Sequence, residues 1–226
     1  MKILLTVVVM LCTTVVCGQQ CKCETDTSLN NIISCEIIQL KNHSKIYWQF
    51  NCDSSWLTFE SKSGVKEILY ALDAGMMDYT GRLGFQYETE YKTTFLIRNN
   101  LISGCCTPPE FILFNKSNGK YIKNVGPLIY YNDSLKYPLM VSINYKGFNE
   151  LKFYNVETKR QFSILLPPNK IANTLKMGGE TNAEYLFEGA GIIGNIFSVS
   201  FRYKKPGNND KWYNYKIVVN LTKYGY

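Results

Sequence analysis

Cysteines, a single histidine, scattered carboxylates and a large stock of aromatic rings are the side chains of this 226-residue chain that could do chemistry. Cys12 and Cys17 lie in an apolar N-terminal stretch, which leaves Cys21, Cys23, Cys35, Cys52, Cys105 and Cys106 for the folded body. Four thiolates can hold a zinc ion, but structural zinc ligands are usually spaced by two to four residues, and neither Cys21-Lys22-Cys23 nor the adjacent Cys105-Cys106 fits that pattern. Disulfides are therefore expected and no metal site. A bond inside either close pair would need a strained small ring, so the N-terminal cysteines are expected to cross-pair with Cys105 and Cys106.

Histidine-dependent catalysis would rest wholly on His43, which lies in the loop-like segment Lys41 to Lys45 and reads as solvent-exposed. With one histidine, neither an HExxH zinc hydrolase nor a histidine metal cluster is available. Paired carboxylates remain, since a glycosidase needs two acids flanking a cleft. Asp73 with Asp78, and Glu88 with Glu90 on one face of an expected strand, are the candidates. Gly189, Gly191 and Gly194 match GxGxxG, yet the strand-like run NIFSVSFRY follows where a dinucleotide site needs a helix, so a glycine-rich bend or bulge is expected and no cofactor.

Binding finds more support than catalysis. Tyr contributes 17 residues, Phe 12 and Trp 3, more rings than a β core of this size needs to bury. Trp48, Trp56, Trp212, Tyr213, Tyr130 and Tyr131 are the candidate binding residues. The net charge is +7, but the basic residues are scattered and the longest clusters are Lys204-Lys205 and Lys159-Arg160, too short to read as a nucleic-acid patch. The segment GCCTPPE (104–110) reads as a stapled, rigid loop. Sequons occur at Asn42, Asn115, Asn132 and Asn220.

The elements that must position these residues begin after an address. Lys2, an apolar run from Ile3 to Val16 and a small residue at Gly18 have the layout of a secretory signal peptide, residues 1–18. The run is too short to span a membrane as a helix, so no transmembrane anchor is expected. Lipid attachment at Cys17 is the alternative. A cysteine-containing segment, 19–45, then leads into a single all-β domain, 46–226.

Within that domain, short aromatic and β-branched segments are punctuated by turn residues. They are YWQFNC (47–52), WLTFES (56–61), TTFLIRN (93–99), EFILFN (110–115), GPLIYY (126–131), PLMVSINY (138–145), ELKFYN (150–155), QFSILL (161–166), NIFSVSFRY (195–203) and YNYKIVVNL (213–221). KPGNND, between the last two, is expected to be a hairpin loop. Two short helices interrupt the strands. One is expected in GVKEILYALDAGMM, where Val65, Ile68, Leu69, Leu72 and Met76 recur at helical spacing, and the other over Lys170 to Met177.

EFILFNKSNGKYI (110–122) and ELKFYNVETKRQF (150–162) align forty positions apart in their Glu, aromatic, Asn, turn and closing apolar residues, and WLTFESKSGVKEI (56–68) fits the same template less closely. Each copy follows a strand. This pattern resembles the blade repeat of β-propellers, with repeats about 40 residues long. The resemblance implies an antiparallel short-strand meander in a small propeller-like array; a β-sandwich is the alternative reading of the same strands. The function expected is that of a secreted or periplasmic, non-enzymatic binding protein, whose partner is a macromolecule or a glycan and not nucleic acid. The alternative is a carboxylate-dependent hydrolase of a surface polymer.

Overall fold

The computed structural model describes residues 21–76, 84–100, 108–134 and 136–225. The signal-like segment, Asp78, Cys105 and Cys106 fall outside them. The chain is all-β. Among the described residues, fifteen strands form four antiparallel sheets in chain order, each a meander in which neighbours in sequence are neighbours in the sheet.

Sheet 1 holds β1 (Ile38–Gln39), β2 (Lys45–Phe50), β3 (Ser54–Glu60) and β4 (Lys66–Asp73). Sheet 2 holds β5 (Gly84–Glu90), β6 (Thr94–Asn100), β7 (Glu110–Asn115) and β8 (Tyr121–Gly126). Sheet 3 holds β9 (Leu128–Asn132), β10 (Leu139–Ile143), β11 (Glu150–Asn155) and β12 (Gln161–Leu165). Sheet 4 holds β13 (Phe187–Ile193), β14 (Ile196–Lys205) and β15 (Asn208–Asn220). A short helix α1 (Leu29–Ile32) precedes β1, and α2 (Lys170–Lys176) falls where the sequence places its second helix.

The turns follow from side chains that bond their own backbone. Asn115 and Asn155, the asparagines shared by the two aligned segments, end β7 and β11. Asn115 accepts from Ser117 N at 2.7 Å, and Asn155 accepts from Glu157 N and Thr158 N at 3.0 and 2.9 Å. Their own amides close the turns onto Lys120 O and Arg160 O, both at 2.9 Å. In the third segment Ser61 stands in the asparagine's place, and its hydroxyl accepts from Val65 N at 3.0 Å.

Three apolar clusters join the sheets in series. Ile46, Trp48, Phe50, Leu57 and Phe59 of sheet 1 meet Phe95, Ile97 and Phe114 of sheet 2, with Cys23, Leu29, Ile33 and Leu40 closing one end. Leu96, Phe111 and Leu113 of sheet 2 meet Met140 of sheet 3. Val141, Leu151 and Phe153 of sheet 3 meet Phe197, Val199, Phe201 and Ile217 of sheet 4. An aromatic pair marks the first and third junctions, Phe59 with Phe95 at 5.6 Å and Phe153 with Phe197 at 5.2 Å.

Burial patterns record this order. β10 is buried at every position, because sheet 3 is covered on both faces, whereas β14 alternates between half-exposed and buried residues from Ile196 to Lys204. A ring of blades needs a fourth junction, between sheets 4 and 1. Among the described residues no apolar cluster joins them, and a two-sheet sandwich does not describe four meanders.

The first helix expected from sequence is a strand. Lys66 to Asp73 forms β4, and the described residues that follow, 74–76, turn helical. The cause is a bulge: Leu57 pairs with Tyr70 and Thr58 with Ile68, so Leu69 is an extra residue that breaks the two-residue alternation. The apolar positions then mimic a helical period, although Val65 and Ile68 are 61% and 60% exposed. Similar extra residues lie in β5, β8, β9 and β13, all edge strands. Bulges twist such edges away from stray pairing.

Candidate functional site

The cysteines pair locally, which corrects the expected cross-pairing. Cys21 bonds Cys35 and Cys23 bonds Cys52, so the N-terminal segment is tied to itself and to the β2–β3 turn. Close neighbours in sequence need not bond each other when each reaches a different element. Two disulfides fit a non-reducing compartment. Among the described residues no helix is long and apolar enough to cross a membrane.

The acids are committed elsewhere. Glu88 is the extra residue of the β5 bulge, so it and Glu90 do not share one open face. Its carboxylate pairs with Arg98 at 2.8 Å and accepts from Tyr131 Oη at 2.9 Å. Glu90 is buried in an ion pair with Lys116. Asp73 accepts from Met76 N at 3.0 Å and so closes the turn after β4. His43 is exposed in a turn with φ of 67°, and its amide donates to Leu40 O. Gly189 lies in the β13 bulge with φ of 63° and Gly194 turns the chain into β14, so the GxGxxG match is a bend between strands.

The six aromatic candidates separate into different places. Trp48 is buried between sheets 1 and 2, beside a slot of about 360 Å³ also lined by Phe85 and Tyr87. Trp56 is half-buried on sheet 1, its Nε1 donating to Gln49 Oε1 at 3.1 Å, and Gln49 Oε1 also accepts from Thr58 Oγ1. Tyr130 packs 5.4 Å from Phe197 between sheets 3 and 4, and burial raises its phenol pKa. Tyr131 links sheets 2 and 3 through Glu88, and burial together with that bond raises its pKa as well. Trp212 and Tyr213 share the β14–β15 hairpin, where they lie on opposite faces.

That hairpin is the candidate site. β13 pairs with β14 only as far as Phe201, so the hairpin runs on beyond it from Arg202 through the loop to Asn214. The uncovered backbone of β14 is met by α2: Thr174 Oγ1 accepts from Lys204 N at 2.9 Å. Alternation sends Arg202, Lys204, Trp212 and Asn214 to one face, and Tyr203, Tyr213 and Tyr215 to the other. Gly179, just after α2, leaves room for the indole, since a Cβ there would lie 3.1 Å from Trp212 Cη2.

Cations sit over these rings. Arg202 Cζ and Lys204 Nζ each lie 4.9 Å from the Trp212 ring centre. Lys205 Nζ and Lys211 Nζ lie 4.3 and 5.4 Å from that of Tyr213. Lys170 Nζ, from α2, lies 3.9 Å from Tyr203 and 5.1 Å from Tyr215. Arg202 is held by Glu180 and faces Glu188 at 3.6 Å. Lys170, Lys204, Lys205 and Lys211 enter no ion pair among the described residues.

The aromatic pair was visible in sequence, but its basic surroundings were not. Lys170 joins Lys205 and Lys211 at the tyrosine face only through the α2 contact, while alternation sets Arg202 and Lys204 beside Trp212. No protein-family model matches the chain, and comparison with curated proteins finds no match.

Proposed function

We propose that this is an exported binding protein that holds a glycan on the β14–β15 hairpin. The observation that carries the reading is the exposed ring surface of Trp212 on one face and of Tyr215 on the other, on a hairpin that projects beyond its own sheet. Trp212 and Tyr215 are 37% and 38% exposed, and Trp and Tyr give large contact area at little cost in side-chain entropy. The wedge formed by α2 and Gly179 fixes the Trp212 ring in place before a ligand arrives, and preorganisation of this kind favours binding. The disulfides support a location outside the reducing cytoplasm, where surface and matrix glycans are the available polymers.

The test is a glycan array probed with the wild-type protein and with Trp212→Ala/Tyr213→Ala. Binding to a defined glycan set that the double variant loses supports the reading. Equal binding by the variant, or no glycan bound, defeats it. Release of new reducing ends from a bound glycan would instead support the carboxylate-dependent hydrolase.

A further inference from the structure

We propose that the ligand of this hairpin is an acidic glycan, bearing sulfate or carboxylate groups; this rests on the hairpin reading above and narrows it. Each aromatic face described above has an ammonium or guanidinium group over it. A neutral sugar stacking there must push those cations aside and lose their attraction to the ring. An acidic sugar offsets that loss: the displaced cations meet its sulfate or carboxylate oxygens while the sugar's C–H face takes the ring.

Arg202 has its carboxylates in Glu180 and Glu188 and so is held in position. Lys170, Lys204, Lys205 and Lys211 have none, and their charge is available to a ligand. Asp210, near the start of β15, is the acid on the projecting part of the hairpin. Lys170 from α2 joins Lys205 and Lys211 at the tyrosine face and Lys204 lies at the Trp212 face, so a polyanion wrapped across the hairpin meets cations on both faces, which come from two elements of the fold and not from one run of sequence. Single-stranded nucleic acid would also meet cations and rings, but it stacks successive bases on neighbouring open rings; Trp212 is the one ring on its face of the hairpin, and on the other face Tyr203 is buried and Tyr213 packs against the core. The disulfides also favour an extracellular polymer.

The experiment titrates the intrinsic fluorescence of the full chain with dextran sulfate, unsubstituted dextran and oligothymidylate, at 50 and 200 mM salt. Dextran sulfate is expected to bind and dextran not. With four lysines engaged and the slope known for flexible polyanions, affinity falls about fiftyfold over that salt range. In Lys204→Gln/Lys205→Gln/Lys211→Gln, one lysine remains and the fall shrinks to about threefold. Trp212→Ala weakens binding but keeps the wild-type salt dependence, and thermal melts check that both variants fold. If dextran binds as tightly as dextran sulfate, the acidic assignment is overturned while the glycan reading survives. Oligothymidylate binding at least as tightly as dextran sulfate overturns it in favour of a nucleic acid. Binding of none of the three overturns it together with the hairpin reading.

Discussion

The buried ion pair between Glu90 and Lys116 offers the sharpest test of how the sheets are held. Both residues are nearly sealed from solvent, at 7% and 4% exposure. The carboxylate also accepts from Lys41 N at 3.0 and 3.1 Å, and Lys116 Nζ donates to Tyr91 O at 3.0 Å. The pair thus fastens the 41–44 turn, before β2, to the end of β5. Lys116→Met leaves a buried carboxylate with one backbone donor, and loss of about 3–5 kcal/mol is expected because the remaining charge cannot regain water. In a domain of this size that lowers Tm by about 6–20 °C. Glu90→Gln leaves the buried ammonium its bond to Tyr91 O but no counter-charge, and is expected to cost a similar amount. Adding Glu90→Gln to Lys116→Met neutralises the site and keeps the acceptor for Lys41 N. What remains lost is the donor to Tyr91 O, so the double variant is expected to sit about 1–2 kcal/mol below wild type, above either single variant. Urea denaturation of the four proteins gives the cycle. Single losses that simply add in the double variant, or that stay under about 1 kcal/mol, would refute the reasoning.

Other outcomes follow from the same structure. Replacing Cys23 and Cys52 by Ser frees a loop with sequence separation 29, and non-reducing urea melts should show a loss of about 3.5 kcal/mol. The Cys21–Cys35 pair, with separation 14, should cost about 3 kcal/mol. Gly119 has φ of 71° and a Cβ there would lie 2.5 Å from Phe59 Cδ1, so Gly119→Ala should destabilise by about 2 kcal/mol or more in thermal denaturation. Glu60 accepts from Tyr47 Oη at 2.7 Å and from Lys45 Nζ at 3.1 Å, and the Tyr47 bond is the main cause of a pKa below its ordinary value of 4.5. A depressed carboxylate stabilises the fold above that ordinary value and loses the contribution as pH falls through the lowered one. The stability gap between wild type and Glu60→Gln should therefore narrow on acidification, and a gap that holds constant from neutral to strongly acid pH would contradict the assignment.

Much of the strand framework was legible from residues. EFILFN and ELKFYN coincide with β7 and β11 because alternation, aromatic content and a terminal asparagine turn act in the same direction. Local signals fail where the outcome depends on partners. β4 reads as a helix because its bulge at Leu69 is imposed by pairing with β3, which no local period reveals. The disulfide pairing depends on where the N-terminal segment folds back, and the isolated Cys21↔Phe50 bridge shows that return against β2. Exposure of aromatic rings was equally hidden: Trp48 and Trp212 look alike in sequence, yet one fills a junction between sheets and the other lies on an outer face. The basic cluster escaped notice because Lys170 reaches it from α2, while alternation divides Lys204 from Lys205 along one strand.

The central claim is that ligand binding belongs to the β14–β15 hairpin, and backbone amide chemical-shift mapping during titration with a bound glycan tests it most directly. The account predicts perturbations concentrated at Arg202 to Lys205, Lys211 to Tyr215 and the Lys170–Thr174 stretch of α2, with sheets 1 and 2 unchanged. Perturbations centred instead on the slot beside Trp48, or spread evenly over the four sheets, would contradict it.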